Sequence, residues 1–174
     1  ENLYKPMPGY RFIASNTDRS RYYVGELNGR SSKQAYMDAL HISESNIINQ
    51  TFHNPLGKMN GQDICIISLK EVSGNGLCCY RQVNDSDVLV LLEEQDYNEI
   101  LDETLQRIRR DFNHISGVFS INCVFRYLLF SQEHHMEDYL KTMSTLGDHA
   151  GLIGFGEHYN QQFVNQTMTC VVFE

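Results

Sequence analysis

Between Asp63 and Leu92 three apolar, strand-like runs crowd together: Asp63 to Val72, Leu77 to Val83 and Val88 to Leu92. The turns between them, Ser73-Gly74-Asn75-Gly76 and Asn84-Asp85-Ser86-Asp87, leave no room for a helical crossover. Strands joined so closely pair as antiparallel neighbours, so a meander is expected here. Upstream, alternation in Tyr10 to Ala14 and in Tyr22 to Leu27 adds two strands around the polar turn Asn16 to Ser20. Asn28-Gly29 is a turn signal, because both residues tolerate positive φ. Ser31 or Ser32 then caps a helix reaching Leu40, and a shorter helix containing Ile47 and Ile48 follows Ser43. Thr51 to Gln62, with Asn54-Pro55, Gly57 and Asn60-Gly61, reads as a loop.

The second half changes character. Asp96 with Glu99 opens the best helix of the chain, and Tyr97, Ile100, Leu101, Leu105, Ile108 and Phe112 line one side of it. That stripe is core. Val118 to Ile121 reads as a buried strand ending at Asn122-Cys123, followed by a helix from Phe125 to about Phe130 and another from His135 to Leu146, stopped by Gly147. Gly151 to Phe155 and Thr167 to Phe173 close the chain as expected hairpin partners across Gly156 to Gln166. The expected fold class is α+β: one domain over residues 9–174, with a mixed, largely antiparallel sheet flanked by helices. Residues 1–8, with Pro6 and Pro8, read as a connector from a preceding region, so the chain is expected to be a piece of a longer protein.

Bulk properties remove several partners. A net charge of −8 argues against nucleic acid or an anionic membrane, both of which select basic surfaces. No run approaches the roughly 18 apolar residues of a membrane span. The opening residues Glu1 to Pro6 have neither the basic start nor the apolar centre of a signal peptide. Five cysteines without a CxxC pair fit a reducing, cytoplasmic setting.

Polar side chains then gather where a core does not want them. Asn122-Cys123-Val124-Phe125-Arg126 sits where a buried strand turns into a helix. The first turn of a helix offers free N–H groups and partial positive charge, and an Arg there adds a bidentate fork for a carboxylate or phosphate. The plain alternative is an Asn cap with Arg126 paired to a surface acid. Gly154-Phe155-Gly156-Glu157 ends a strand, where glycine permits close backbone approach and Glu157 accepts from an amine; a hairpin bend with a solvated Glu is the alternative. Asn165-Gln166-Thr167 opens the last strand, with Asn165 and Thr167 expected on one face and Gln166 on the other. Cys123 at a helix start is where a thiolate would be stabilised, yet nothing in the sequence brings His134, His135, His149 or His158 to it. A zinc site from Glu133, His134, His135 and His149 fares no better, because adjacent helical histidines diverge by about 100°. Neither a metal nor a cofactor is expected.

These segments, in this order near the C-terminus, resemble the C-terminal half of FIST domains, a family named for F-box and intracellular signal transduction. The upstream segments Tyr23-Val24-Gly25-Glu26-Leu27-Asn28-Gly29-Arg30, Ala35-Tyr36, Ser73-Gly74-Asn75-Gly76 and Val88-Leu89-Val90-Leu91 agree, so the similarity runs from Gly9 to Phe173. The resemblance implies a bacterial sensory module that binds a small metabolite such as an amino acid. It implies an N-terminal FIST half elsewhere in the protein, and a downstream output domain such as a chemotaxis transducer, a histidine kinase or a cyclic-dinucleotide enzyme. The ligand-binding set is then Asn122, Cys123, Arg126, Gly156, Glu157, Asn165 and Thr167, with Arg126 fixing an anionic group, Glu157 a cationic one and the amides and hydroxyl orienting the ligand. An interaction module without a small ligand, forming a homodimer, is the second reading. A thiol-dependent enzyme built on Cys123 is the third.

Overall fold

A computed structural model describes residues 1–61, 63–159 and 162–174 and divides into two compact units, Lys5–Glu94 and Glu1–Tyr4 with Gln95–Glu174. Each mixes helix and strand, as the α+β class requires. Among the described residues no helix is long and apolar enough to cross a membrane.

The Lys5–Glu94 unit is built from β1 (Tyr4–Asp18), β2 (Tyr23–Leu27), β3 (Arg30–Ser31), α1 (Ser32–Leu40), α2 (Ile47–Gln50), β4 (Leu56–Asn60), β5 (Asp63–Ile67), β6 (Leu69–Ser73), β7 (Gly76–Cys79) and β8 (Val88–Glu94). Its strands run in the order β5-β4-β8-β1-β2-β7-β6, with β3 against β2. Ser31 caps α1 by accepting from the Gln34 N–H, and His41 ends the helix in the left-handed conformation. Leu27, Tyr36, Ile47, Leu56, Ile67, Leu69, Leu77, Leu89 and Leu91 form its buried centre. Each such side chain contributes about 1.5–3 kcal/mol by leaving water.

Three expectations change here. The meander is partial: β6 and β7 pair across Ser73 and Gly76, but β7 continues to β2 while β8 lies between β4 and β1. The run Asp63 to Val72 is two strands broken at buried Ser68, and they sit at opposite ends of the strand order. Alternation is local and passes through the break; the change of pairing partner is not local. The expected loop from Thr51 contains β4. Gly57 is there for packing: a Cβ would stand 2.9 Å from Leu92 Cδ1 and 3.0 Å from Ile64 Cγ2. Gln62, the last residue of that expected loop, lies outside the described residues.

The other unit contains α3 (Tyr97–Asp111), β9 (Gly117–Cys123), α4 (Val124–Gln132), α5 (Met136–Met143), β10 (Asp148–Gly154), β11 (Glu157–Tyr159), β12 (Gln162–Val164) and β13 (Met168–Phe173). Asp96 caps α3 through the N–H groups of Asn98 and Glu99, as its sequence predicts. The sheet order is β10-β9-β13, so the expected hairpin of the last two long strands is not formed. Instead β9 lies between them, parallel to β10 and antiparallel to β13. The physical reason is the connection: α4 and α5 intervene between β9 and β10, and a helical crossover returns the chain parallel. Glu157–Tyr159 and Gln162–Val164 make a small hairpin of their own; Asn160 and Gln161, inside the span expected as one connection, lie outside the described residues.

Register fixes what each face presents. Val118, Ser120 and Asn122 are buried on one face, where Tyr139 of α5 reaches Ser120 and Asn122. Phe119, Ile121, Leu152, Val171 and Phe173 share the other. Of residues 1–8, Tyr4 to Pro8 form the start of β1. Glu1 to Leu3 belong to this unit: Asn2 bridges Thr167, and the Leu3 carbonyl accepts from the Gln95 N–H at 2.9 Å.

Candidate functional site

The C-terminal ends of β9 and β10 and the start of β13 come together. Gly154 lies opposite Cys123, Met168 lies opposite Asn122, and the Cys123 N–H donates to the Thr167 carbonyl at 3.0 Å. The chain turns from β9 straight into α4, with Cys123 at the N-cap position and no side-chain cap. Arg126 therefore falls in the first turn, as the sequence predicts, and it is buried at 1% exposure. Its guanidinium carbon stands 4.6 Å from the Phe130 ring centre and 5.7 Å from that of Tyr139. Nη2 donates to the Glu1 carboxylate, itself fully buried. Nε and Nη1 are buried with no hydrogen-bond partner among the described residues. The alternative of Arg126 paired with a surface acid is thereby ruled out.

Asn122 does not cap the helix. Its Nδ2 donates to Tyr139 Oη at 2.9 Å, Tyr139 donates to Ser120 Oγ at 3.1 Å, and Ser120 Oγ lies 2.9 Å from His149 Nε2. Burial lifts the Tyr139 phenol above its ordinary value and holds the His149 imidazole below its own. Asn122 Oδ1 is left buried without a partner.

Glu157, at the start of β11, is 2% exposed and not a solvated hairpin residue. Thr167 Oγ1 donates to its Oε2 at 2.9 Å, while Oε1 has no partner and faces Gly154, where a Cβ would stand 3.6 Å away. Burial raises the carboxyl pKa, and this outweighs the lowering by Thr167, the Gly156 N–H and the Cys123 thiol. Gly156 holds φ +117°, and a Cβ there would collide with the Phe163 ring at 2.2 Å. Glycine is required at this turn by conformation and by space.

Cys123 behaves as a core thiol. Burial pushes its pKa up and the Glu157 carboxylate adds to the rise, against lowering by nearby main-chain N–H groups. Asn165 and Thr167 are buried, but the expected strand alternation fails because Gln166 takes a left-handed φ of 54° and the strand starts at Met168.

Of the predicted set, Asn122, Cys123, Glu157 and Thr167 are linked by hydrogen bonds or register, and Gly156 shapes the turn beside them. Arg126 follows Cys123 in the same turn. Arg126 and Glu157 do not pair: each keeps its own partner. Sequence reasoning missed Glu1, Phe130, Tyr139 and Ser120, and weighed His149 only as a base or zinc ligand. Phe130 was within reach, since it follows Arg126 at helical i,i+4 spacing. His135 also belongs here: its ring packs at 4.8 Å on Phe130, Nε2 is buried without a partner, and burial together with the Arg126 charge lowers its pKa. A surface depression of about 250 Å³ lined by Tyr10, Phe12, Arg30 and Asp38 lies in the Lys5–Glu94 unit and holds none of these groups.

The described arrangement thus offers a cation and two acceptors in water-poor surroundings. No curated protein and no solved structure matches the chain. The family model of the FIST C domain matches residues 33–160 of the 174, covering β9, Arg126 and Glu157. The chain belongs to the FIST C domain family, a family of sensory domains in signal transduction.

Proposed function

We propose that this domain senses a small zwitterion of the amino-acid class and regulates an attached output domain such as a chemotaxis transducer, a histidine kinase or a cyclic-dinucleotide enzyme. The observation that carries the reading is the set of buried polar atoms left without partners among the described residues: Arg126 Nε and Nη1, Asn122 Oδ1 and Glu157 Oε1. Buried groups of this kind are hydrogen-bonded in nearly every fold, so four of them, on the β9–α4 turn and at the start of β11, support a place for a ligand. The guanidinium fork takes the carboxylate; Glu157 and Asn122 accept from the ammonium. Asn165 and Thr167 shape the wall, and Cys123 supports Glu157. The role is binding, in a bacterial cytoplasm, without cofactor or catalysis, and completed in the full protein by an N-terminal FIST half.

A thermal-shift screen against the common amino acids tests this. A ligand at 100 times its dissociation constant adds about 2.7 kcal/mol. Arg126→Lys keeps the charge but loses the fork, and is expected to remove most of the shift. An amino acid that stabilises wild type and this variant equally would refute the assignment of Arg126. A second reading, a dimerisation module, is favoured by the apolar sheet face: Leu152, Val171 and Phe173 are 48%, 54% and 53% exposed. Light scattering across a concentration series decides it.

A further inference from the structure

The Arg126 subsite already holds a carboxylate, and it belongs to the chain itself. Glu1 meets Arg126 Nη2 with both side chains at 1% exposure. The segment that carries it is docked by an isolated antiparallel bridge and two main-chain hydrogen bonds. The Glu1 main-chain nitrogen donates to the Met168 carbonyl at 2.6 Å, the Met168 N–H donates to the Glu1 carbonyl at 3.1 Å, and Asn2 bridges Thr167.

The fit is incomplete. Among the described residues Glu1 Oε2 is buried without a partner, and so are two of the three guanidinium nitrogens of Arg126. A carboxylate aligned to the guanidinium fork would make two parallel bonds where Glu1 makes one. The pair is not exposed, so solvent does not complete it. Nε and Nη1 are the donors that a better-aligned carboxylate would engage.

We propose that Glu1-Asn2-Leu3 is a displaceable occupant, a tethered carboxylate that keeps the Arg126 subsite closed until a free carboxylate ligand replaces it. The inference rests on the reading of Arg126 as the anion subsite. Replacement undocks the bridged segment from Thr167 and Met168. Leu3 leads directly into β1, so the undocked residues stay tethered through that strand. A tethered competitor lowers the apparent affinity of any free ligand by the fraction of time it occupies the site.

Acetate is the probe, because it carries the carboxylate and nothing else. Glu1→Ala is expected to gain melting temperature saturably with sodium acetate over sodium chloride at equal ionic strength. Wild type is expected to gain far less, and Glu1→Ala/Arg126→Met nothing. Glu1→Gln, which keeps the side-chain volume, serves where the alanine variant folds poorly. Equal acetate responses in wild type and both Glu1 variants overturn the proposal, as does no response in either variant. Any amino acid found in the screen is expected to bind Glu1→Gln about tenfold tighter than wild type by calorimetry. Equal affinity overturns displacement while leaving the sensory reading standing. Acetate rescue with a blank amino-acid screen supports displacement and sinks that reading instead.

Discussion

The two units treat buried polarity in opposite ways. In Lys5–Glu94 buried hydroxyls serve the backbone at three places: Ser32 Oγ donates to the Val24 carbonyl at 2.7 Å, Thr51 Oγ1 accepts from the Leu69 N–H at 2.8 Å, and Tyr36 Oη donates to the Asn54 carbonyl at 2.7 Å. Ser68 Oγ alone is left without a partner there, among the described residues. Its ion pairs, such as Arg30–Asp38 and Lys33–Glu44, lie toward water. In Gln95–Glu174 the buried set includes Arg126, Glu157, Asn122, Asn165 and Thr167, and the charged members keep unmatched atoms. Desolvating charge destabilises a fold unless every hydrogen bond is remade. The first unit remakes most of its buried hydrogen bonds, and the second keeps charged side chains with atoms unmatched among the described residues.

Breaking the buried pair is the largest test. Arg126→Met leaves the Glu1 carboxylate uncompensated and is expected to cost about 3–5 kcal/mol in urea unfolding. Arg126→Met/Glu1→Gln is expected to recover most of that loss, because two desolvated charges go together. A single variant as stable as wild type would erase the contrast between the units. Next in size is Tyr139→Phe. It leaves Asn122 Nδ2 and Ser120 Oγ without their shared partner, for about 1–3 kcal/mol by the same measurement.

Glu157→Gln has the opposite sign. The Glu157 pKa is raised on folding, so its contribution is fully present below its ordinary value of 4.5 and lost as pH rises through the folded value. The Gln variant is therefore expected to exceed wild type in stability at neutral pH, with the advantage closing below about pH 4.5. A gap that persists in acid would mean that desolvation is not the cause. The same variant is expected to weaken any amino-acid ligand, measured by calorimetry. The smallest effect is in the other unit: Arg30→Ala removes an exposed pair and is expected to cost less than about 1 kcal/mol.

What could be read from the sequence was what neighbours along the chain decide. Asp96 capping α3, Ser31 capping α1 and Arg126 in the first turn of α4 depend on residues within a few positions, and all are formed. Pairing choices were not legible. β5 and β6 look like one run because alternation passes unbroken through Ser68, and β4 looks like a loop because Gly57 signals a turn until Leu92 and Ile64 are beside it. The site divides in the same way. Glu157 and Thr167 were identifiable from composition near strand ends, but their bond to each other waited on the left-handed turn at Gln166. Nothing near Arg126 in sequence announces Glu1, since 125 positions separate them.

The run from Asn122 through Tyr139 and Ser120 gives the buried groups an outlet at a half-buried imidazole. Tyr139 donates to Ser120, and Ser120 either donates to His149 Nε2, with the neutral ring's hydrogen on Nδ1, or accepts from Nε2–H. A molecule that turned the Asn122 amide to present Oδ1 to Tyr139 would make Tyr139 donate to it and Ser120 donate to Tyr139, leaving only the tautomer with hydrogen on Nε2 to bond Ser120. The two tautomers differ in their nitrogen resonance frequencies. The domain therefore contains an indicator of its own, in which the state of an enclosed amide is legible from one ring near the surface.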